Sequence, residues 1–158
     1  MPYEMLESTL VELIGVNEQV AQNQFNASVA VLDFSSARPR SGIIRSVGFF
    51  LNGAAVGISP AGELLLMDAD PDTATADANL IAAEWLTILG NVALVNADVV
   101  AAASSETGGV ALYHDLFIPF HEVDAVYALF QLTSATQFNS AGADDEQLQV
   151  NVWYENRN

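Results

Sequence analysis

The chain of 158 residues contains no cysteine and no lysine. Without cysteine, disulfide bonds and thiolate metal sites are excluded. Without lysine, positive charge rests on four arginines, Arg38, Arg40, Arg45 and Arg157, against twenty acids, for a formal net charge of −16. Residues 46 to 156 hold neither lysine nor arginine, but fifteen acids. Binding to nucleic acid or to an anionic membrane depends on Lys and Arg. One small basic spot near Arg38, Arg40 and Arg45 offers little of either, so neither is an expected partner. The acidity favours solubility and attracts cations or a basic partner.

Charged residues are also scarce, at 15%. So low a share points to a surface partly covered by partners. The stretch MPYEMLESTLVELIGV is rich in acids and has no positive n-region, so it is not expected to act as a signal peptide. No apolar run reaches membrane-spanning length without charges. What is abundant is apolar residues, 51% of the chain, enough for one domain with a sizeable core.

The patterning is mostly that of strands. Near the start, Leu6, Leu10, Leu13 and Ile14 fall at i, i+4, i+7 and i+8, and Ser8-Thr9 before Glu12 resembles a capping box. Residues 1–25 are therefore expected as an arm or short helix, with a strand from Thr9 to Ile14 as the rival reading. From residue 26 to 158 a single β-sandwich domain is expected. Residues 27–34 and 43–51 read as strands around the turn Arg38-Pro39-Arg40-Ser41-Gly42, and Asn52-Gly53 signals a hairpin. Residues 81–89 are ambiguous between helix and strand. Even positions are apolar along 110–120 (Val110, Leu112, Leu116, Ile118, Phe120, with His114 among them), 126–132 and 148–154. A period of two puts one face of each segment in a core. About eight short strands of this kind predict an all-β antiparallel sandwich.

Asp68-Ala69-Asp70-Pro71-Asp72, followed by Asp77, has the spacing of a calcium loop's first ligands. Thr73 and Asn79 stand where such a loop needs Gly and Glu, so a solvated acidic loop competes with a calcium site. His114-Asp115 and His121-Glu122 with Asp124 form a second candidate for metal or acid–base chemistry. The two histidines, seven apart, face opposite ways on a straight strand, and a bend at Pro119 could join them. Nucleophilic catalysis has no Cys, Lys or G-x-S-x-G to rest on. Paired carboxylates leave a glycosidase open. Asn26-Ala27-Ser28 matches a glycosylation sequon by chance. Trp153 and Tyr127 lie on the more polar side of their strands as candidate interface anchors, with Leu6 and Leu10 on the N-terminal segment.

The stretch ALYHDLFIPFHEVDAVYALFQLTSATQFNSAGADDEQLQVNVWYENRN, after the middle segment ELLLMDADPDTATADANLIA, resembles small virion structural proteins of jelly-roll type. The resemblance spans roughly residues 26–158 and is one of pattern. It implies a capsid-shell, decorating (cement) or spike subunit that packs against copies of itself, commonly as a trimer, and against other capsid proteins, with no catalytic residues and no cofactor beyond a candidate calcium ion. Coat proteins that package a genome often carry a basic arm. Here the arm is acidic (Glu4, Glu7, Glu12, Glu18), which favours the outer capsid surface. A calcium- or carbohydrate-binding adhesion sandwich is the alternative.

Overall fold

The computed structural model describes residues 4–15, 20, 23, 25–52, 61–71, 80, 82–101, 109–133 and 147–158. Its strands are β1 (Met5–Glu7), β2 (Val11–Ile14), β3 (Val29–Asp33), β4 (Arg40–Asn52), β5 (Gly62–Met67), β6 (Ile88–Leu94), β7 (Val100–Ala101), β8 (Gly109–Tyr113), β9 (Ile118–Val123), β10 (Ala125–Leu132) and β11 (Gln147–Asn156). Between β5 and β6 lies one four-residue helix, α1 (Ala82–Trp85).

The strands form two antiparallel sheets. The larger runs β1-β11-β4-β8-β7, with β2 also on β11 and β9 also on β4; the smaller runs β3-β10-β5-β6. β1 and β2 pair with successive stretches of β11, and β8 and β9 with successive stretches of β4. Each couple is one strand position interrupted partway, at residues 8–10 and 114–117. Eight positions then remain beside the short edge strand β7. Numbered along the chain they order as 1-8-3-6 in the larger sheet and 2-7-4-5 in the smaller. Almost every connection crosses from one sheet to the other, which is the double Greek key of a jelly roll. The expected all-β sandwich of about eight strands is what the chain forms.

The space between the sheets is filled by one apolar cluster that includes Ile44, Phe49, Leu51, Leu64, Leu66, Phe130 and Leu148, all essentially inaccessible to water. The even-position pattern holds where it was cleanest: Val126, Ala128, Phe130 and Leu132 of β10 and Leu148, Val150, Val152 and Tyr154 of β11 point inward. It fails along 110–114, while Leu116 packs against the core. There Ala111 is buried and Leu112 exposed, because Ala111 stands opposite the inward Phe49 and Leu112 opposite Gly48. The interruption at 114–117, where Asp115 has φ of 58°, resets the parity, so that Ile118 and Phe120 point inward again. Tyr113 takes the inward place and meets Phe49 edge-on at 5.9 Å.

The N-terminal segment departs from the helix expectation. Residues Met5–Glu7 and Val11–Ile14 are strands of the larger sheet, and Leu13 and Ile14 lie in the core. The helical spacing of the leucines is met instead by two short strands with a break between them. Ser8 bridges that break: its N–H donates to Val152 O, and its Oγ accepts from Val152 N–H. Met5–Glu7 and Val11–Ile14 thus pair with β11 of their own chain.

A smaller cluster, Phe25, Met67, Leu80 and Leu129 with Tyr127 and Ile88 against it, lies on the outside of the smaller sheet. Asn26 beside it is wholly buried, which removes it from glycosylation. Its backbone N–H donates to Phe130 O, its Oδ1 accepts from Phe130 N–H, and its Nδ2 donates to Leu13 O at 2.8 Å. One side chain thus ties β10 of the smaller sheet to β2 of the larger.

Candidate assembly surface and acidic hollow

The two acidic candidates meet in space. Met67, at the end of β5, pairs with Tyr127 of β10, which brings the residues after β5 against the β9–β10 corner. Asp68, Asp70, His121, Glu122, Asp124 and Tyr127 line a hollow of about 410 Å³ there. Glu122 turns the corner with φ of 48°. Asp70 is held by Ser28, whose Oγ donates to Asp70 Oδ1 at 2.6 Å. Among the described residues, no three of His, Asp and Glu gather as a metal-holding group. Asp72 and Asp77 lie outside the described residues.

The two histidines do not meet. His114 Nδ1 is 3.1 Å from Ser46 Oγ and His121 Nδ1 3.1 Å from Ser41 Oγ, on two serines of β4. Ser41 Oγ also accepts from Glu122 N–H at 2.9 Å. The Glu122 carboxylate stands 3.9 Å from His121 Nε2, beyond hydrogen-bond reach, with both side chains largely in water. The arrangement orders the corner; it lacks the dry, closely held base that activates a nucleophile.

The arginines gather at the larger sheet. Arg40 and Arg45 lie on β4, Arg38 just before it, and Arg157 follows β11, which pairs with β4. Arg45 donates from Nε and Nη2 to Glu155 Oε2 at 3.0 and 2.9 Å, and Arg157 holds Glu155 Oε1 at 2.6 Å. The hydrogen bonds from Arg45, with the nearby Arg157 charge, hold the Glu155 carboxyl below the usual glutamate range. The Arg45 guanidinium also lies over the Phe117 ring, 5.3 Å from its centre. On the outer face of this sheet, Asn151 Nδ2 donates to Glu7 Oε1 at 2.7 Å. Asn151 Oδ1 is buried without a donor among the described residues, close over Gly48. A Cβ at residue 48 would sit 2.8 Å from this oxygen, so a larger residue there would displace the Asn151 side chain.

The exposed apolar side chains are not scattered. On one side of the sandwich β6 adjoins β9; on the other β3 adjoins β2. Eight large apolar side chains are exposed among the described residues, and six of them come from the stretch between α1 and β9. Trp85 and Leu86 lead into β6, Val95 follows it, Val100 is on β7, Leu112 on β8, and Phe117 between β8 and β9. Leu86 is 89% exposed, Val100 70% and Phe117 66%. The other two, Met5 and Leu10, lie on the β2–β3 side. A hollow of about 260 Å³ opens there, lined by Glu7, Ser8, Thr9, residues 30–34 and Tyr154.

Of the anchors expected from the sequence, Leu6 packs against the core and Leu10 is exposed at the break between β1 and β2. Trp153 is half-buried on the larger sheet's outer face. Tyr127 packs against the small outer cluster. The exposed set between α1 and β9 was not among them. Its one sequence signal was the segment IAAEWLTIL, too apolar for the loop it partly forms.

No protein-family model and no curated protein matches the chain. Among solved structures it is similar to a chain of an Israeli acute paralysis virus full particle heated to 63 degrees, at 13% identity and a TM-score of 0.37, covering 99% of this chain and 72% of that one. It is also similar to a chain of the crystallised pentamer of the same virus, at 12% identity and a TM-score of 0.36, covering 99% of this chain and 89% of that one. At such scores the likeness carries no weight, and the functional reading rests on the strands and side chains themselves.

Proposed function

We propose that this chain is a virion structural protein, a capsid-shell or capsid-decorating subunit that works by packing against copies of itself and against other capsid proteins. Jelly rolls also serve as lectins and cupins, so the fold alone does not decide. The observation that carries the reading is the exposed apolar set between α1 and β9. At roughly 150–250 Å² for a large aromatic and somewhat less for Leu and Val, its six side chains expose on the order of 600–700 Å². These side chains stand at both ends of β6 and on β7, β8 and the β8–β9 break, so the figure is a total over several exposed places; a stable interface buries about 800 Å² per partner. The finer form of the proposal is a homotrimer on the outer capsid surface, where a net charge of −16 meets no packaged genome.

Sedimentation at physiological salt tests it. A mass that is a defined multiple of 16.8 kDa, three times for the trimer, is expected. A strict monomer at high concentration overturns the reading.

A second reading, a calcium- or carbohydrate-binding adhesion module, is favoured by the 410 Å³ hollow, whose polar lining and Tyr127 suit a sugar; its described carboxylates do not gather as a metal-holding group. It requires a melting rise with calcium, or a bound glycan, that Asp70→Ala removes. A chain that responds to neither eliminates it.

A further inference from the structure

We propose that the outer face of the larger sheet holds an arginine side chain of a partner protein, between Asn151 and Glu7 and over Phe50 and Leu112. This names a contact that the assembly reading leaves open, and it does not depend on that reading. The face is one surface because the ladder makes it so. Leu112, Gly48 and Asn151 share one rung of β8, β4 and β11, and Val110, Phe50 and Gln149 share the next outward rung. On the other side, Trp153 pairs with Ser46 and with Glu7. These residues alternate with core side chains along their strands, so they point away from the core. They converge over Gly48. The place of a Cβ there lies 2.8 Å from Asn151 Oδ1, 2.9 Å from a Phe50 ring carbon and 3.1 Å from a Leu112 methyl.

Asn151 is 4% exposed, and its Oδ1 has no donor among the described residues. Turning the amide over does not relieve it. An ionised carboxylate only accepts, so Glu7 takes the Nδ2 end, at 2.7 Å, and Oδ1 is left toward Gly48. The group that suits this place donates to Oδ1, tolerates an aromatic ring and a leucine beside it, and is drawn to a carboxylate. Water meets the first condition and gains nothing from the apolar walls. A guanidinium meets all three: its donors lie in one plane, it is weakly hydrated, and it stacks on aromatic faces. Its fork can serve Oδ1 and the Glu7 carboxylate together, because both flank the same amide. Leu112 is 48% exposed and swings aside on the picosecond-to-nanosecond scale of surface rotamers. The chain does not supply the cation itself. It has no lysine, these rungs carry no arginine, His114 is on Ser46, and Arg45 is held by Glu155. Glu12, opposite Gln149, adds a second carboxylate to the face. Charge complementarity of this kind selects the partner.

Calorimetric titration with a capped Phe-Arg-Phe peptide at about 150 mM salt tests the site. The control peptide carries citrulline, which keeps the shape and loses the charge. The arginine peptide should bind about tenfold more tightly than the control. Asn151→Leu and the exposed Glu7→Gln should each weaken it about tenfold. Glu63→Gln removes the same charge from the smaller sheet and should leave binding unchanged. Should Asn151→Leu fail to fold, Glu7→Gln decides. Absence of binding at millimolar peptide, equal binding of the citrulline peptide, or equal losses in Glu7→Gln and Glu63→Gln overturns the proposal. None of these results touches the assembly reading, which sedimentation decides.

Discussion

Replacing Asn26 should be among the most damaging single changes available in this chain. Asn26 is 0% exposed, and its side chain serves two groups that have no route to water. Phe130 N–H donates to Oδ1, and Leu13 O accepts from Nδ2. Asn26→Ala strands both. A buried backbone group left without a partner costs about 1–3 kcal/mol, so the pair costs about 2–6 kcal/mol. For a domain of this size each kcal/mol lowers Tm by about 2–4 °C, which gives a drop of roughly 4–24 °C. Thermal unfolding followed by circular dichroism measures it directly. A loss under about 2 °C would mean that water reaches this corner, and the account of how the two sheets are tied would be wrong. Asn26→Asp sharpens the test. The carboxylate still accepts from Phe130 N–H, but it cannot donate to Leu13 O, and burial raises its folded pKa above the unfolded value. A raised acid pKa means that stability is greatest below the unfolded pKa and is lost as pH rises through the folded one. This variant should therefore melt higher at pH 4 than at pH 7, and the wild type should not share that slope.

Glu155 gives the opposite sign. Its carboxyl is held low by Arg45 first and Arg157 next, so its contribution is present at neutral pH and lost as pH falls through the folded pKa. Glu155→Gln should flatten the decline of Tm between about pH 5 and pH 3; superimposable curves would refute the pairing. Gly62→Ala should cost about 1–3 kcal/mol, because a Cβ there would overlap the buried Phe130 ring and the Gln131 carbonyl oxygen; unchanged denaturant melting would count against the packing. Trp85 is exposed and Trp153 half-buried, on opposite elements of the molecule. Acrylamide quenching should fall when the wild type assembles and stay high in Phe117→Asp, and equal quenching in both would remove Trp85 from the contact.

The sandwich was legible because β10 and β11 carry an apolar residue at every even position, and a one-residue period error would have turned every core side chain outward. What could not be read was interruption. The break at 114–117 swaps which face Leu112 and Tyr113 occupy, and nothing in GVALYHDLFIPF marks the reset except that His114 and Asp115 are poor core residues. The break at 8–10 lets Leu6, Leu13 and Ile14 point inward from two strands at a spacing that also fits a helix. The exposed set between α1 and β9 was hidden for a different reason. Its six side chains come from segments over thirty residues apart in sequence, from Trp85 to Phe117, and only the pairing of β4 with β8 and β9, beside β6, decides which of them stay in water. Exposure of that kind belongs to the tertiary arrangement, and periodicity carries no trace of it.

The charge of the whole molecule fixes how a contact through these side chains must behave in salt. Two copies at −16 each repel at long range, and that repulsion is screened beyond about 10 Å at 0.1 M salt. The apolar contact is not screened, and salt strengthens it slightly where it acts at all. Cations free to pair with a neighbouring copy are few, since Arg45 is already engaged with Glu155, so ion pairs supply little energy. Association should therefore tighten as salt rises from about 10 mM to 150 mM and then level off. An interface held chiefly by ion pairs would do the reverse. Were the wild type to assemble in low salt and fall apart on raising it, the contact would be electrostatic, and the exposed apolar side chains would not be what joins the copies.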